Sequence, residues 1–172
     1  MSGLEPASFE LKKLTAGAIP SALERAERYR LLNEPVLAES ICLDILAVDP
    51  DNARAIVLLL LAVTDQFVES ISGKLEQAKD LVGRLTDAYQ KAYYRGLVCE
   101  REARACLHRS APGAGPAAYE RFRDAMRLYE AAERLRPPGN DEALFRWNTC
   151  VRTIMAEQLG PAPADDSTLM LE

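Results

Sequence analysis

Residues 19–52 read IPSALERAERYRLLNEPVLAESICLDILAVDPDN, and residues 125–140, AMRLYEAAERLRPPGN, repeat the pattern of its second half. Ala38 precedes Pro50 by 12 residues, and Ala125 precedes Pro137 by 12; Ile45 and Ala132 each lie five before their proline. In the first stretch Ala22, Leu23, Ala26, Tyr29 and Leu32 recur at helical spacing. Pro20 fits a first helical turn, where its missing N–H costs nothing. Asn33-Glu34-Pro35 reads as a turn, and residues 36–48 carry Leu37, Ala38, Ile41, Cys42, Ile45, Leu46 and Val48 on a broad apolar face. Pro50 ends that helix, because proline disfavours the helical region for Asp49 and cannot donate the next hydrogen bond. Asp51 or Asn52 is placed to cap the helix that follows.

The chain outside this stretch continues the same way. Ile56 to Val63 is a run of eight apolar residues, which leaves a helix over residues 53–67 no wet face and places it at the centre of the core. Residues 68–73 read as a loop, and Leu75, Ala78, Leu81, Val82 and Leu85 as the next helix. Asp87 is placed to cap a helix of about 22 residues, 88–109, with small residues Ala92, Gly96 and Ala103 along its apolar line. Residues 110–116 form a Pro- and Gly-rich loop. Residues 117–135 then make a helix closed by Pro137-Pro138-Gly139. Asn140 or Asp141 caps the last one, whose inner stripe is Leu144, Trp147, Val151, Ile154, Met155 and Leu159, with Gly160-Pro161 as its stop. A short leading helix is expected from Leu4, Phe9, Leu11 and Leu14. No strand-like alternation bounded by hairpin turns occurs. The expected fold is therefore all-α, with seven or eight helices in antiparallel pairs.

Composition bounds the function. The chain has 172 residues, 48% of them hydrophobic, enough to bury one ordinary core. A net charge of −5 argues against a nucleic-acid binder, since neutralising phosphates supplies most of that affinity. The N-terminal residues lack a cationic start followed by an apolar run, and no apolar run approaches the roughly 20 residues that span a bilayer. A cytoplasmic protein without membrane contact is expected. Residues 161–172 carry three acidic and no basic residues and read as an acidic, disordered tail ending Leu169-Met170-Leu171-Glu172.

Small residues at helix crossings, a closing proline and a unit of about 34 residues resemble the tetratricopeptide repeat (TPR), a two-helix unit. The resemblance implies that residues 1–160 form one helical-repeat domain, its pairs stacked as a short right-handed superhelix with a concave groove. The long helix over 88–109 departs from the repeat's usual helix length. The implied function is a non-enzymatic protein–protein interaction module, an adaptor or chaperone, holding a peptide or protein in that groove. In this register the groove residues are Leu23, Glu27 and Arg30 from the first helix, Val57 and Leu61 from the third, and Tyr93, Leu97 and Arg101 from the fifth. That set is apolar and mixed in charge, so the family's clamp for chaperone C-terminal carboxylates is not implied. The small TPR chaperones of secreted effectors are similar in length and acidity, although no motif singles them out. A monomer or weak homodimer is expected.

No Gly-rich phosphate loop, His-Glu-x-x-His or Gly-x-Ser-x-Gly motif occurs, and no catalytic group or cofactor is expected. The single histidine, His108, sits where a cation suits a helix C-terminus. Cys42, Cys99, Cys106 and Cys150 have no metal-ligand spacing and lie on apolar helical faces, so they read as core residues and no metal is expected. The competing reading is a single-stranded RNA binder. Arg95, Arg101, Arg104, Arg109, Arg121, Arg123 and Arg127, with Tyr89, Tyr93 and Tyr94, are the residue types for stacking on bases and pairing with phosphate. Glu100, Glu102, Glu120, Asp124 and Glu130 interleave with them, which favours a solvated helical face. An acidic peptide suits such arginines better, because the guanidinium fork pairs bidentately with carboxylates.

Overall fold

A computed structural model describes residues 9–163. Among them are seven α-helices and no strand: α1 (Ile19–Leu31), α2 (Pro35–Val48), α3 (Ala53–Asp65), α4 (Lys74–Arg84), α5 (Ala88–Arg109), α6 (Ala114–Leu135) and α7 (Glu142–Ala156). A three-residue 3-10 turn, Ala16–Ala18, precedes α1. No helix among these residues is long and apolar enough to cross a membrane. The acidic tail from residue 164 onward, and Leu4, lie outside the described residues.

Local chemistry fixes the helix ends. Pro20 and Pro35 occupy the first turns of α1 and α2. Asn52 accepts from the Ala55 N–H at 3.0 Å to cap α3, and its amide donates to Asp49 at 2.9 Å, so the four residues 49–52 close α2 and open α3 together. Asp87 caps α5 by accepting from the Gln90 N–H at 2.7 Å. α1 and α7 end alike, with a left-handed residue after the helix, Asn33 (φ 61°) and Gln158 (φ 50°). The next N–H then reaches back, Glu34 to the Tyr29 carbonyl at 2.8 Å and Leu159 to that of Ile154 at 2.9 Å.

Several expectations need correction. Residues 9–15 form no helix, and Phe9 and Leu11 are exposed: their spacing of two puts them on no common helical face. α6 begins at Ala114, so the preceding loop is shorter than 110–116; Gly115 and Pro116 fall in a first turn, where proline is tolerated. α7 stops at Ala156, before Gly160-Pro161, because Gln158 turns left-handed. α2 is apolar nearly all round, so its broad face is only partly inward: Ala38, Cys42 and Ile45 are buried, whereas Leu37 and Val48 are exposed. Met155, read as an inner position of α7, is exposed as well.

Each helix packs on its neighbour in sequence, and α3 additionally touches α1 and α5. The eight-residue apolar run of α3 is mostly buried, with only Val57 and Leu61 half-exposed. Buried side chains form two clusters. One gathers α1–α4 around Leu23, Ile45, Leu59, Leu60 and Leu81, with Val98 and Ala105 from α5. The other gathers α6 and α7 around Phe122, Met126, Tyr129 and Cys150, with Ala103 from α5. α5 is thus the wall that both clusters share.

The α5–α6 crossing is close at one point. A Cβ on Gly96 would lie 2.8 Å from the ring of the buried Tyr129, whereas a Cβ on Gly83 of α4 meets nothing within 4 Å. Gly96→Ala is therefore expected to destabilise the fold by about 1–3 kcal/mol through overpacking. Gly83→Ala should stabilise it by about 0.5–1 kcal/mol through helix propensity. Thermal or urea melts of the two variants check this, and equal shifts would contradict the crossing.

Candidate functional site

Polar side chains run along the side of the fold where α1, α3 and α5 meet. Arg30 of α1 donates to Asp65 of α3 at 2.7 Å, and Arg101 of α5 lies 2.8 Å from the other oxygen of the same carboxylate. Arg101 is only 14% exposed; it also donates to the Leu61 carbonyl at 3.0 Å and to the Thr64 hydroxyl. Burial pulls its pKa below the ordinary arginine value, with Asp65 working the other way. Tyr94 stands on the same side of α5, its phenol pushed up by burial while the charge of Arg30 opposes the shift.

The row continues into α7 through a buried carboxylate. Glu100 is 1% exposed; it accepts from the Tyr129 hydroxyl at 2.7 Å, from Arg104 at 3.2 Å and from Arg146 of α7 at 3.4 Å. Burial and the Glu100 charge together raise the Tyr129 pKa. Burial works against the Arg146 charge, but Glu100 and Tyr93 outweigh it and hold the guanidinium protonated. Tyr93 sits among aromatic neighbours, stacked on Tyr89 at 5.8 Å and edge-on to Tyr94 at 5.1 Å. Glu100 is therefore no member of a solvated face, as the alternation of charges along α5 suggests, but the anchor of three helices.

The groove residues expected from the sequence separate into three groups. Leu23 and Leu97 are buried. Arg30 and Arg101 meet at Asp65, while Glu27 pairs with Arg54 of α3 at 2.7 Å, both side chains about half exposed. Val57, Leu61 and Tyr93 are half-buried beside this row. Sequence reasoning missed Asp65 and Arg146, and named Tyr94 only among the aromatics of the RNA reading. Asp65 was findable, since it continues the stripe Val57, Leu61 by one more helical turn.

Chemically, the face offers phenols and those guanidinium N–H groups of Arg30 and Arg146 that Asp65 and Glu100 leave unused, above half-buried aliphatic carbons. That arrangement suits carboxylates and peptide carbonyls. The wider arginine set is largely consumed internally: Arg121 pairs with Glu102 at 3.1 Å and Arg104 with Glu100, while Arg127 pairs with Asp124. Cys42 and Cys150 are buried, and burial pushes both thiols up to about 12, which keeps them neutral and inert. His108 lies in the last turn of α5. No three His, Cys, Asp or Glu side chains converge as a metal site among the described residues.

Comparison with known proteins places no relative beside the chain: no family model matches it, no curated protein is similar to it, and no solved structure matches it.

Because Glu100 joins α5, α6 and α7, Glu100→Ala should cost about 3–5 kcal/mol by stranding Arg146 and Tyr129. Asp65→Ala, which removes a carboxylate 24% exposed where Glu100 is 1% exposed, should cost about 1–3 kcal/mol. Urea unfolding of both variants checks the order, and a Glu100→Ala protein as stable as the parent would show that the cluster is not formed.

Proposed function

We propose that the chain is a non-enzymatic, TPR-like helical-repeat module, an adaptor or chaperone that holds a peptide or protein segment along the face shared by its odd-numbered helices. The observation that carries this reading is the continuity of one row of side chains, Arg30, Asp65, Tyr94, Arg101 and Arg146, drawn from α1, α3, α5 and α7. Two further features support it. α1, α3 and α5 begin at residues 19, 53 and 88, so successive helix pairs start 34 and 35 residues apart, close to the roughly 34 of the TPR unit. Ala26, Ala38, Ala125 and Ala132, the small residues on which the repeat pattern rests, are all buried.

The ligand that suits the face is an extended segment whose carbonyls or acidic side chains meet the guanidiniums while its apolar side chains rest on Val57 and Leu61. Binding of this kind draws on apolar contact and short-range hydrogen bonds, so it weakens little with salt. A single-stranded RNA would require cations free to release phosphate counterions. The internal pairing of most of the arginines, together with the net charge of −5, weighs against that reading.

A photo-reactive residue at Leu61 is expected to cross-link a discrete protein from a native extract, with the yield preserved in about 0.5 M salt. The same group at Glu120, exposed on α6, should not capture it. Equal capture at both positions, or recovery of RNA whose binding collapses with salt, would contradict the proposal.

A further inference from the structure

On the other side of α5, a cleft of about 560 Å³ opens between α4, α5 and α6. Its floor is apolar: Leu75 and Val82 of α4, Val98 and Cys99 of α5, and Leu128 of α6. Its rim is cationic, with Lys79 on α4, Lys91 and Arg95 on α5, and Arg121 on α6. The carboxylate lining it, Glu102, is held by Arg121 at 3.1 Å, and Lys79 is held by Glu76 of its own helix at 2.8 Å. Lys91 and Arg95, one turn apart on α5, have no ion-pair partner among the described residues and are exposed.

The cleft exists because of helix lengths. α4 has 11 residues against 22 in each of α5 and α6, and α4 and α6 do not close over α5 between them. The α5 residues that line it, from Lys91 to Glu102, span about 16 Å at 1.5 Å per residue, the length of three helical turns. An apolar trough of that length with two unneutralised cations at one edge matches an amphipathic helix with an acidic flank. Its aliphatic side chains would enter over Val82, Val98 and Leu128, and its carboxylates would meet Lys91 and Arg95.

We propose that the α4–α5–α6 cleft is a docking site for an acidic amphipathic helix of a partner protein. The site is separate from the face of the odd-numbered helices and does not depend on the reading proposed for that face.

Gly83 gives the test its blocking variant. It lines the cleft wall, has open space at its Cβ and lies in an ordinary helical position, so Gly83→Trp fills the cleft without straining α4. The probe is a fluorescein-labelled helical peptide of about four turns, with leucines along one face and glutamates flanking them. Fluorescence anisotropy on the full chain at about 0.15 M salt is expected to show saturable binding. Gly83→Trp and the double variant Lys91→Glu/Arg95→Glu should each weaken it by about tenfold or more. The thermal melt of each variant, compared with that of the parent, reports on the fold. A peptide with lysine in place of glutamate should not bind. Equal affinity for both peptides, or unchanged affinity in Gly83→Trp and the double variant, overturns the proposal. So does anionic-vesicle binding without peptide binding. If the full chain fails to bind but a chain ending at Pro163 does, the cleft belongs to the chain's own acidic tail and the assignment to a partner falls.

Discussion

The structure depends on one helix being shared by two cores. α5 gives Val98 and Ala105 to the cluster built by α1–α4, and Ala103 to the one built by α6 and α7. Its adjacent polar residues divide their partners among the helices in the same way. Glu100 turns to Tyr129 and Arg146, while Arg101, the next residue, turns to Asp65 and Arg30. An α-helix turns 100° per residue, so adjacent positions face different neighbours. A carboxylate and a guanidinium side by side in sequence therefore tie α5 to different sets of helices.

These buried charges are costly to remove from water, and their mutual attraction offsets that cost only where every partner is in place. Their geometric demand is the more useful property. Tyr129 reaches Glu100 only because Gly96, one turn earlier, has no side chain to hold its ring away. Asp65 serves both Arg30 and Arg101 only if α1, α3 and α5 are stacked in one register. The row that forms the proposed binding face is thus also the device that aligns the helices carrying it. A ligand there meets a surface already ordered, which lowers the cost of binding.

Most helices were legible from the spacing of apolar residues, and the start of α5 from its aspartate cap. The repeat of Ala38 and Pro50 as Ala125 and Pro137 marked two helices, α2 and α6, that each end two residues before the proline. The start of α6 was not legible, because Gly115 and Pro116 suit a loop and a first helical turn equally. The outward apolar residues of α2 were not legible either: a helix apolar nearly all round has no periodicity to show which side is wet. Glu100 was the deepest failure, since its partners Tyr129 and Arg146 lie 29 and 46 residues away and the local pattern is that of a solvated surface. Gly96, amid the small residues of α5, was the one trace of that close crossing. The α4–α5–α6 cleft follows from the mismatch in helix length, which becomes visible only once the helices are placed.

The central claim is that α5 couples both clusters into a single cooperative unit. Site-resolved native-state hydrogen exchange tests it most directly, because it reads the opening free energy of each helix separately. The account predicts that the slowest amides of α3, α5 and α6 exchange with one common free energy, equal to that of global unfolding. Amides of α6 and α7 that open several kcal/mol below those of α3 would show two independent units, and would contradict it.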